Sequence, residues 1–262
     1  MSEHQNVRIE ITDGASIPDP KERRLITAWS LSFLAAIGTL IYLCASQPDP
    51  YWRLLQFLPD GILVTFQVTV FSIICSIPIG LITGLGRLSR NRGINLVAST
   101  YVEVVRGIPL LVQLFYIYYA LGRFLKVPDM LAAIIALSVC YGAYMGEVFR
   151  AGIEAIPKGQ TEAARSLGFN RVETMFLVVL PQAWRTILPP VGNEFIAMLK
   201  DTSLVSIIAV ADILRRGREF ASESFQYFET YTMIALVYLL ITLLLSKGVS
   251  IMEARLNYYD RR

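Results

Sequence analysis

Apolar runs separated by short clusters of charged residues make up most of the sequence after residue 24. An α-helix rises about 1.5 Å per residue, so about 20 apolar residues are needed to cross the hydrocarbon core of a bilayer. Six runs reach or approach that length and predict six membrane-spanning helices. They are residues 25–45, 61–86, 96–121, 131–149, 175–199 and 230–246.

The first run has two interpretations. It is uncharged for 21 residues and follows a polar stretch, 1–24, that ends in basic residues. A cleaved secretory signal also follows basic residues and ends in small ones, but its apolar segment has only about 7–15 residues. The length therefore favours an additional spanning helix, with 1–24 as a flexible cytoplasmic tail.

Basic residues follow the ends of alternate runs. Arg87, Arg90 and Arg92 follow the second run, and four more basic residues lie between the fourth run and the fifth. Because short loops rich in Lys and Arg stay in the cytoplasm, both places are predicted to be cytoplasmic. Six spans then place the N-terminus and the C-terminus inside, with 252–262 as a short cytoplasmic tail.

One segment does not fit this orientation, because Arg215, Arg216 and Arg218 would lie outside. The preceding residues 202–211 are uncharged but only about half as long as a spanning helix. We predict that they re-enter the membrane or are buried in the bundle; a seventh span is the alternative. Residues 200–203, Lys-Asp-Thr-Ser, are predicted to form an outer turn or a gate reached by a docked receptor.

The composition is typical of a membrane protein. Hydrophobic residues make up 54% of the chain and charged residues 17%, against about 25% charged residues in soluble domains. The net charge of +3 does not indicate nucleic-acid binding. The cysteines lack metal-site spacing, and the one histidine, His4, lies in the polar tail. These features argue against metal sites and against an enzyme.

A short polar helix is predicted in the loop between the fourth and fifth runs, from Pro157 to Gly168. Gly168 suits the left-handed position beyond a helix end, and Glu162 and Arg165 have the spacing of an ion pair. A helix this short is not stable alone. Its small apolar side chains suit contact with another protein, although an ordinary interfacial helix has the same pattern.

Charged residues inside the third run are candidates for a substrate pathway, because ionisable groups are expensive at membrane depth. Glu103 and Arg106 lie three residues apart, followed by Gly107 and Pro109, which loosen a helix. They either line a pathway near a hinge or form a structural ion pair with Arg106 reaching to the interface.

Two further carboxylates lie within predicted spans. Glu147 is spaced to pair with Arg150 or to contact the following loop, and is the weaker ligand candidate. Glu194 follows Pro189-Pro190 and adjoins Asn193, where a broken helix would expose backbone groups to a cavity. Transporters place substrate sites at such interruptions. Glu194 is therefore the best candidate for binding a substrate ammonium, and a structural role remains the alternative.

The loop carries a recognisable motif. Glu162-Ala163-Ala164, then Gly168, then Val178-Val179-Leu180-Pro181 have the spacing EAA-x3-G-x9-I-x-L-P, with Val178 for isoleucine. This closely resembles the EAA motif of ABC importer permeases. Residues 102–121, 141–169 and 180–214 resemble the polar amino-acid uptake branch, the histidine, glutamine, arginine and glutamate permeases. Ile108 departs from the threonine expected there. The resemblance extends from residue 61 to the C-terminus.

The resemblance implies an all-α integral membrane fold, with a core of five transmembrane helices of the type I ABC importer fold and an extra N-terminal transmembrane helix. It implies a permease domain at 61–251 whose cytoplasmic loop, 151–173, carries a coupling helix seated in a separate ATP-binding subunit. The expected coupling residues are Gly159, Glu162, Ala163, Ala164, Leu167 and Gly168.

The resemblance also implies partners: a dimer of ATP-binding subunits that binds ATP and Mg, a second copy or sister permease, and an extracytoplasmic amino-acid-binding protein. The sequence lacks a G-x-x-x-x-G-K-[ST] phosphate loop, so a non-enzymatic permease subunit of the bacterial cytoplasmic (inner) membrane, without its own cofactor, is expected. The alternatives are an ion-driven transporter, for which inverted repeats are expected but not evident, and a membrane scaffold.

Overall fold

The computed structural model describes residues 27–258 and forms no strand within that range. The predicted tail at 1–24 lies outside the described residues. The helices are α1 Ala28–Ser46, α2 Pro48–Phe57, α3 Pro59–Arg87, α4 Arg92–Gly107, α5 Leu110–Leu125, α6 Asp129–Glu154, α7 Lys158–Ser166, α8 Arg171–Glu173, α9 Leu180–Asp201, α10 Ile213–Ser224 and α11 Tyr227–Tyr258. A π-helical turn, Thr174–Val179, precedes α9, and a 3-10 segment, Thr202–Ile208, follows it.

Helix α6 is the centre of the bundle. Small residues line it, among them Ala136, Ala143 and Gly146, and all three are buried. They let α3 approach so closely that a Cβ added at Gly80 would lie 2.2 Å from the Met145 Cβ. Small residues at such a seam allow helix backbones to pack in a membrane, where the hydrophobic effect does not hold helices together.

Four helices of the described chain are long and apolar enough to cross a membrane: α1, α3, α6 and α11. Helices α4 and α5 meet this criterion only as a pair, bent by 106°. The predicted third span, 96–121, is therefore wrong as a single helix. The break falls at Ile108 and Pro109, because proline disfavours a helical conformation in the residue before it.

Helix α9 corrects a second prediction. It runs without interruption through Pro189 and Pro190, so the broken fifth span expected there is not present. Proline's fixed φ suits a helix, and the loss is confined to backbone hydrogen bonds and ring contacts with the preceding turn. Ala183 and Ile187 are fully buried and help to keep this part of α9 in the bundle.

Residues 202–211, predicted to re-enter the membrane or to be buried in the bundle, are partly buried, with the Ile207 side chain 47% exposed. Thr202 and Val205 are fully buried in the 3-10 segment, which is far too short for a seventh span. The predicted outer turn at 200–203 is wrong. The Tyr141 hydroxyl, midway along α6, donates a hydrogen bond of 2.7 Å to Asp201, so α9 ends at the depth of the middle of α6.

A second apolar core joins α1, α2, α10 and α11 at the end of the bundle where α3 begins. Tyr51 and Leu54 of α2 pack there with Phe220 of α10. The backbone N–H of Ile213 donates to Thr65 Oγ1 of α3 at 3.2 Å. α10 therefore lies near the start of α3.

The basic residues that contradicted the orientation rule lie on α10. Arg215 and Arg216 each form an ion pair with Glu219, at 3.1 Å. The positive-inside rule counts Lys and Arg and gives little weight to acidic residues, so these ion pairs do not remove the exception to the predicted orientation.

Helix α11 continues to Tyr258. Residues 252–258 of the predicted cytoplasmic tail therefore continue α11 as a helix, and 259–262 lie outside the described residues. In the most apolar stretch of α11 only 11% of residues are buried, against 61% in α6. α11 thus lies at the periphery of this chain.

Candidate coupling helix and substrate pathway

Helix α7 is the predicted polar loop helix, and it lies on the surface. Pro157 precedes it, and of its own residues only Ala164 is buried. Gly159, Glu162 and Ala163 are exposed. Leu167, just beyond the helix, is 80% exposed. An exposed leucine beside small residues leaves an apolar patch that the described residues do not cover.

The end of α7 is fixed by its own backbone. The N–H of Gly168 donates to the carbonyl of Arg165 at 3.0 Å, and the N–H of Phe169 donates to the carbonyl of Ala164 at 3.2 Å. These two bonds form a Schellman motif. Gly168 has φ +91°, a conformation that strains residues with a Cβ. The motif glycine therefore sets where the helix stops.

The predicted ion pair between Glu162 and Arg165 is wrong, because no salt bridge joins them among the described residues. Both side chains are exposed, where holding two long side chains together gains little. The Glu162 carboxylate is consequently available to a partner.

Helix α7 is also tied to α9. Gln182 of α9 donates a hydrogen bond of 3.2 Å to the side-chain oxygen of Gln160. Between them, Asn170 and Glu173 form a capping box that starts α8. The connection between α7 and α9 is therefore short and ordered.

Glu147 lies near the end of α6, shortly before the loop that carries α7. It forms ion pairs with Arg150 of the same helix and with Arg87 of α3. Pairing with Arg150 was anticipated from the spacing, whereas Arg87 was not, since sequence gives no sign of which helix lies opposite. Two basic partners occupy the Glu147 carboxylate, which leaves it poorly placed as a substrate ligand.

The bend between α4 and α5 has a specific support. The Gln113 side-chain amide donates to the backbone carbonyls of Val105, at 2.5 Å, and Ile108, at 2.7 Å. It thereby satisfies carbonyls that lose their helical partners at the break. The Cys140 thiol of α6 donates to the Gln113 oxygen at 2.8 Å. Sequence reasoning missed Gln113, although a single amide in an apolar run is a usable signal.

Arg106 projects from the end of α4 towards α6. The predicted ion pair with Glu103 is wrong, because no salt bridge joins the two residues in the described chain, and both are exposed. Instead the guanidinium lies 5.3 Å from the ring centroid of Tyr144, within the range of a cation–π contact.

Glu194 and Asp201 lie about two turns apart on the same face of α9. Asp201 accepts a hydrogen bond from Tyr141 of α6. Glu194 is half-buried, Asn193 is exposed, and no hydrogen bond or ion pair within the described residues holds the Glu194 side chain. We call Arg106, Tyr141, Tyr144, Glu194 and Asp201 the pathway cluster.

Lys200 indicates what surrounds this side of α9. It is exposed, adjoins Asp201 at mid-depth, and has no acidic partner in the part of the chain that the structure describes. An unpaired ammonium at membrane depth is unfavourable against lipid and is found facing water or another polypeptide. This side of α9 therefore does not suit contact with hydrocarbon.

The family model of the binding-protein-dependent transport system inner membrane component matches residues 76–258. The chain belongs to this family. This permease-family chain is 41% identical over 215 residues to the L-cystine transport system permease protein TcyB of Bacillus subtilis (strain 168), covering 79% of this chain and 92% of that protein. It is 36% identical over 209 residues to the glutamine transport system permease protein GlnP of Escherichia coli (strain K12), covering 79% and 95%.

Solved structures agree with this fold. A crystal structure of an amino acid ABC transporter with histidines matches with a TM-score of 0.73 and 42% identity, over 78% of this chain and 95% of that one. The MetNI methionine ABC transporter, in inward-facing conformations, matches with a TM-score of 0.65 and only 16% identity. The match covers 80% of this chain and 98% of that one. The second likeness concerns the fold alone.

Proposed function

We propose that this chain is the transmembrane permease subunit of an ATP-driven importer that moves polar amino acids across the bacterial cytoplasmic membrane. The observation that carries the proposal is the exposed helix α7, which bears the EAA motif and leaves Glu162, Ala163 and Leu167 uncovered. The amino-acid class is supported by relatives whose names specify cystine and glutamine transport.

In this proposal α7 is the coupling helix, and it docks on a separate dimer of ATP-binding subunits that holds ATP and Mg. Nucleotide-driven closure of that dimer moves α7, and the Gln160–Gln182 bond and the short connection carry the movement to α9. The permease hydrolyses no ATP itself.

The pathway cluster contacts the substrate. Glu194 offers an unpaired carboxylate to the ammonium group, and Arg106 offers a cation to the carboxylate of an amino acid, which carries both charges. The exposed Lys200 and Asn193 support a wet pathway shared with a second copy or a sister permease. An extracytoplasmic amino-acid-binding protein delivers the substrate at the α2 and α10 end, and both termini lie in the cytoplasm.

Replacing Glu162 with Gln tests the coupling role. The side chain has no partner within the described chain, so the fold is retained, while ATP hydrolysis stimulated by the binding protein and uptake into proteoliposomes fall about tenfold, the equivalent of one charge-assisted hydrogen bond. Glu253→Gln, an exposed carboxylate on α11, is the matched control. Unchanged uptake, or uptake driven by an ion gradient without ATP, would contradict the proposal.

Glu194→Gln tests the pathway. We expect uptake to fall with the complex intact, because the amide keeps the shape and removes the charge that binds an ammonium. Normal uptake would assign Glu194 a structural role.

A further inference from the structure

A basic cleft lies on the proposed cytoplasmic side, apart from the pathway cluster. It has a volume of about 610 Å³ and separates the α3–α4 connection from α7 and the π-helical turn. Arg90, Arg165 and Arg171 line it, one from each of three segments. The volume is within the range of about 300–1,000 Å³ found for small-ligand sites.

These three arginines have no acidic partner among residues 27–258. Elsewhere in the described chain Arg53, Arg87, Arg150, Arg215 and Arg216 each form an ion pair with a carboxylate. No Asp or Glu lines the cleft. The neighbouring acid, Glu173, is engaged by the backbone N–H of Asn170 at 2.8 Å. Three arginines that line one cleft without a counter-charge favour the binding of an anion.

Part of the cleft lining is apolar. Leu88, Met175 and Val179 belong to it, and they lie where α3 ends and where α9 is about to begin. Because α3 is long and apolar enough to span a membrane and ends beside the cleft, the proposed orientation places the cleft near the headgroups of the cytoplasmic leaflet. A lining that combines arginines with apolar side chains fits an amphiphile better than a free anion.

We propose that the cleft binds the phosphodiester headgroup of an anionic phospholipid, with its acyl chains against the apolar wall. Basic pockets near helix ends on the cytoplasmic side bind such headgroups. A bound lipid would hold the α3–α4 connection against α7 and thereby couple lipid composition to transport. The orientation rests on the proposed function, but lipid binding itself requires neither ATP nor an amino acid.

The test compares two double variants of the intact complex purified from its membrane and placed in nanodiscs. Arg90→Gln with Arg171→Gln removes two cleft cations and spares the coupling helix. Arg92→Gln with Arg255→Gln removes two exposed cations outside the cleft. The readout is phosphatidylglycerol retained by the complex, counted by native mass spectrometry, from discs of phosphatidylcholine with and without phosphatidylglycerol.

The cleft variant should retain about tenfold to thirtyfold less phosphatidylglycerol, given the electrostatic contribution of each basic residue near an anionic surface, while the control retains the wild-type amount. Equal retention by both variants would overturn the proposal. Binding of inorganic phosphate by the lipid-free complex at the same arginines would assign a small anion instead. Loss of the ATP-binding subunits from the cleft variant would assign a protein contact.

If both variants retain equal amounts of lipid but the same preparations still import amino acids, the lipid proposal is wrong and the proposed function stands. Conversely, a complex that binds lipid but transports nothing would contradict the proposed function alone.

Discussion

Helices α6 and α7 follow one another, with α6 ending at Glu154 and α7 beginning at Lys158, yet the chain specifies them in opposite ways. In the most apolar stretch of α6, 61% of residues are buried. In α7 only Ala164 is buried. α6 is held by packing against distant segments, whereas the bounds of α7 are set by local signals at its ends.

α6 and α7 therefore place different requirements on their residues. Where a helix is fixed by packing, each substitution at the seam affects the fold. Where it is fixed by a proline before it and a glycine after it, its surface is free to fit another protein. The same type of substitution should therefore affect stability in α6 and its neighbours but affect coupling in α7.

The largest effect is expected at the α3–α6 seam. Gly80→Ala places a Cβ 2.2 Å from the Met145 Cβ and 2.8 Å from the Met145 carbonyl carbon. The helices must separate, at a cost of about 3 kcal/mol. Thermal unfolding followed by fluorescence-detected size exclusion should show a much lower midpoint. Gly38→Ala on α1 has nothing within 4 Å and should leave the midpoint near that of wild type.

The ion-pair network at the end of α6 should give the next effect. Glu147→Gln leaves Arg87 without its carboxylate and weakens the hold on Arg150, which should destabilise the complex by about 1–3 kcal/mol. The control is Glu154→Gln, because Glu154 pairs with Arg150 but is 53% exposed and should contribute less than about 1 kcal/mol. Equal unfolding midpoints for the two variants would show that the ion pairs of Glu147 contribute no more to stability than the exposed ion pair of Glu154.

Gly168→Ala should act locally. A residue with a Cβ at φ +91° is strained by about 1–2 kcal/mol, so the end of α7 should fray. Hydrogen exchange should become faster at the amides of Gly168 and Phe169, with amides in α6 unchanged. If exchange in α7 stays at the wild-type rate, the Schellman motif is not what ends the helix.

Gly159→Ala should have the smallest effect on stability. Nothing lies within 4 Å of a Cβ added there, and alanine favours the helix by up to about 1 kcal/mol. If a partner backbone lies against α7, coupled ATP hydrolysis should nevertheless decrease. Gly248→Ala on α11 is equally unobstructed and should change neither property. Normal coupling in both variants would argue against a close contact at Gly159.

Features set by local signals can be predicted from the sequence, whereas features set by packing against distant segments cannot. The extent of α7, its stop at Gly168 and the partial burial of 202–211 could be anticipated, because each depends on local signals or on the length of an apolar run. The approximate position of the α4–α5 bend was also visible in Gly107 and Pro109, although its size was not.

The sequence-based predictions are wrong where a side chain's partner lies on a different helix. The Tyr141–Asp201 bond joins residues 60 positions apart, and it places Asp201 in the bundle rather than in the predicted outer turn. Arg106 contacts Tyr144 instead of Glu103 because an aromatic ring from α6 faces it. The break predicted at Pro189 and Pro190 is wrong, because two prolines weaken a helix but do not necessarily interrupt it.

The close approach of Gly80 to Met145 restricts how this molecule can change shape. Two backbones in such contact slide along one another only with collisions, so α3 and α6 are expected to keep their relative position if the molecule changes shape. Under the proposed function, α9, which carries Glu194 and is bonded to α7, is then the element expected to move against that pair.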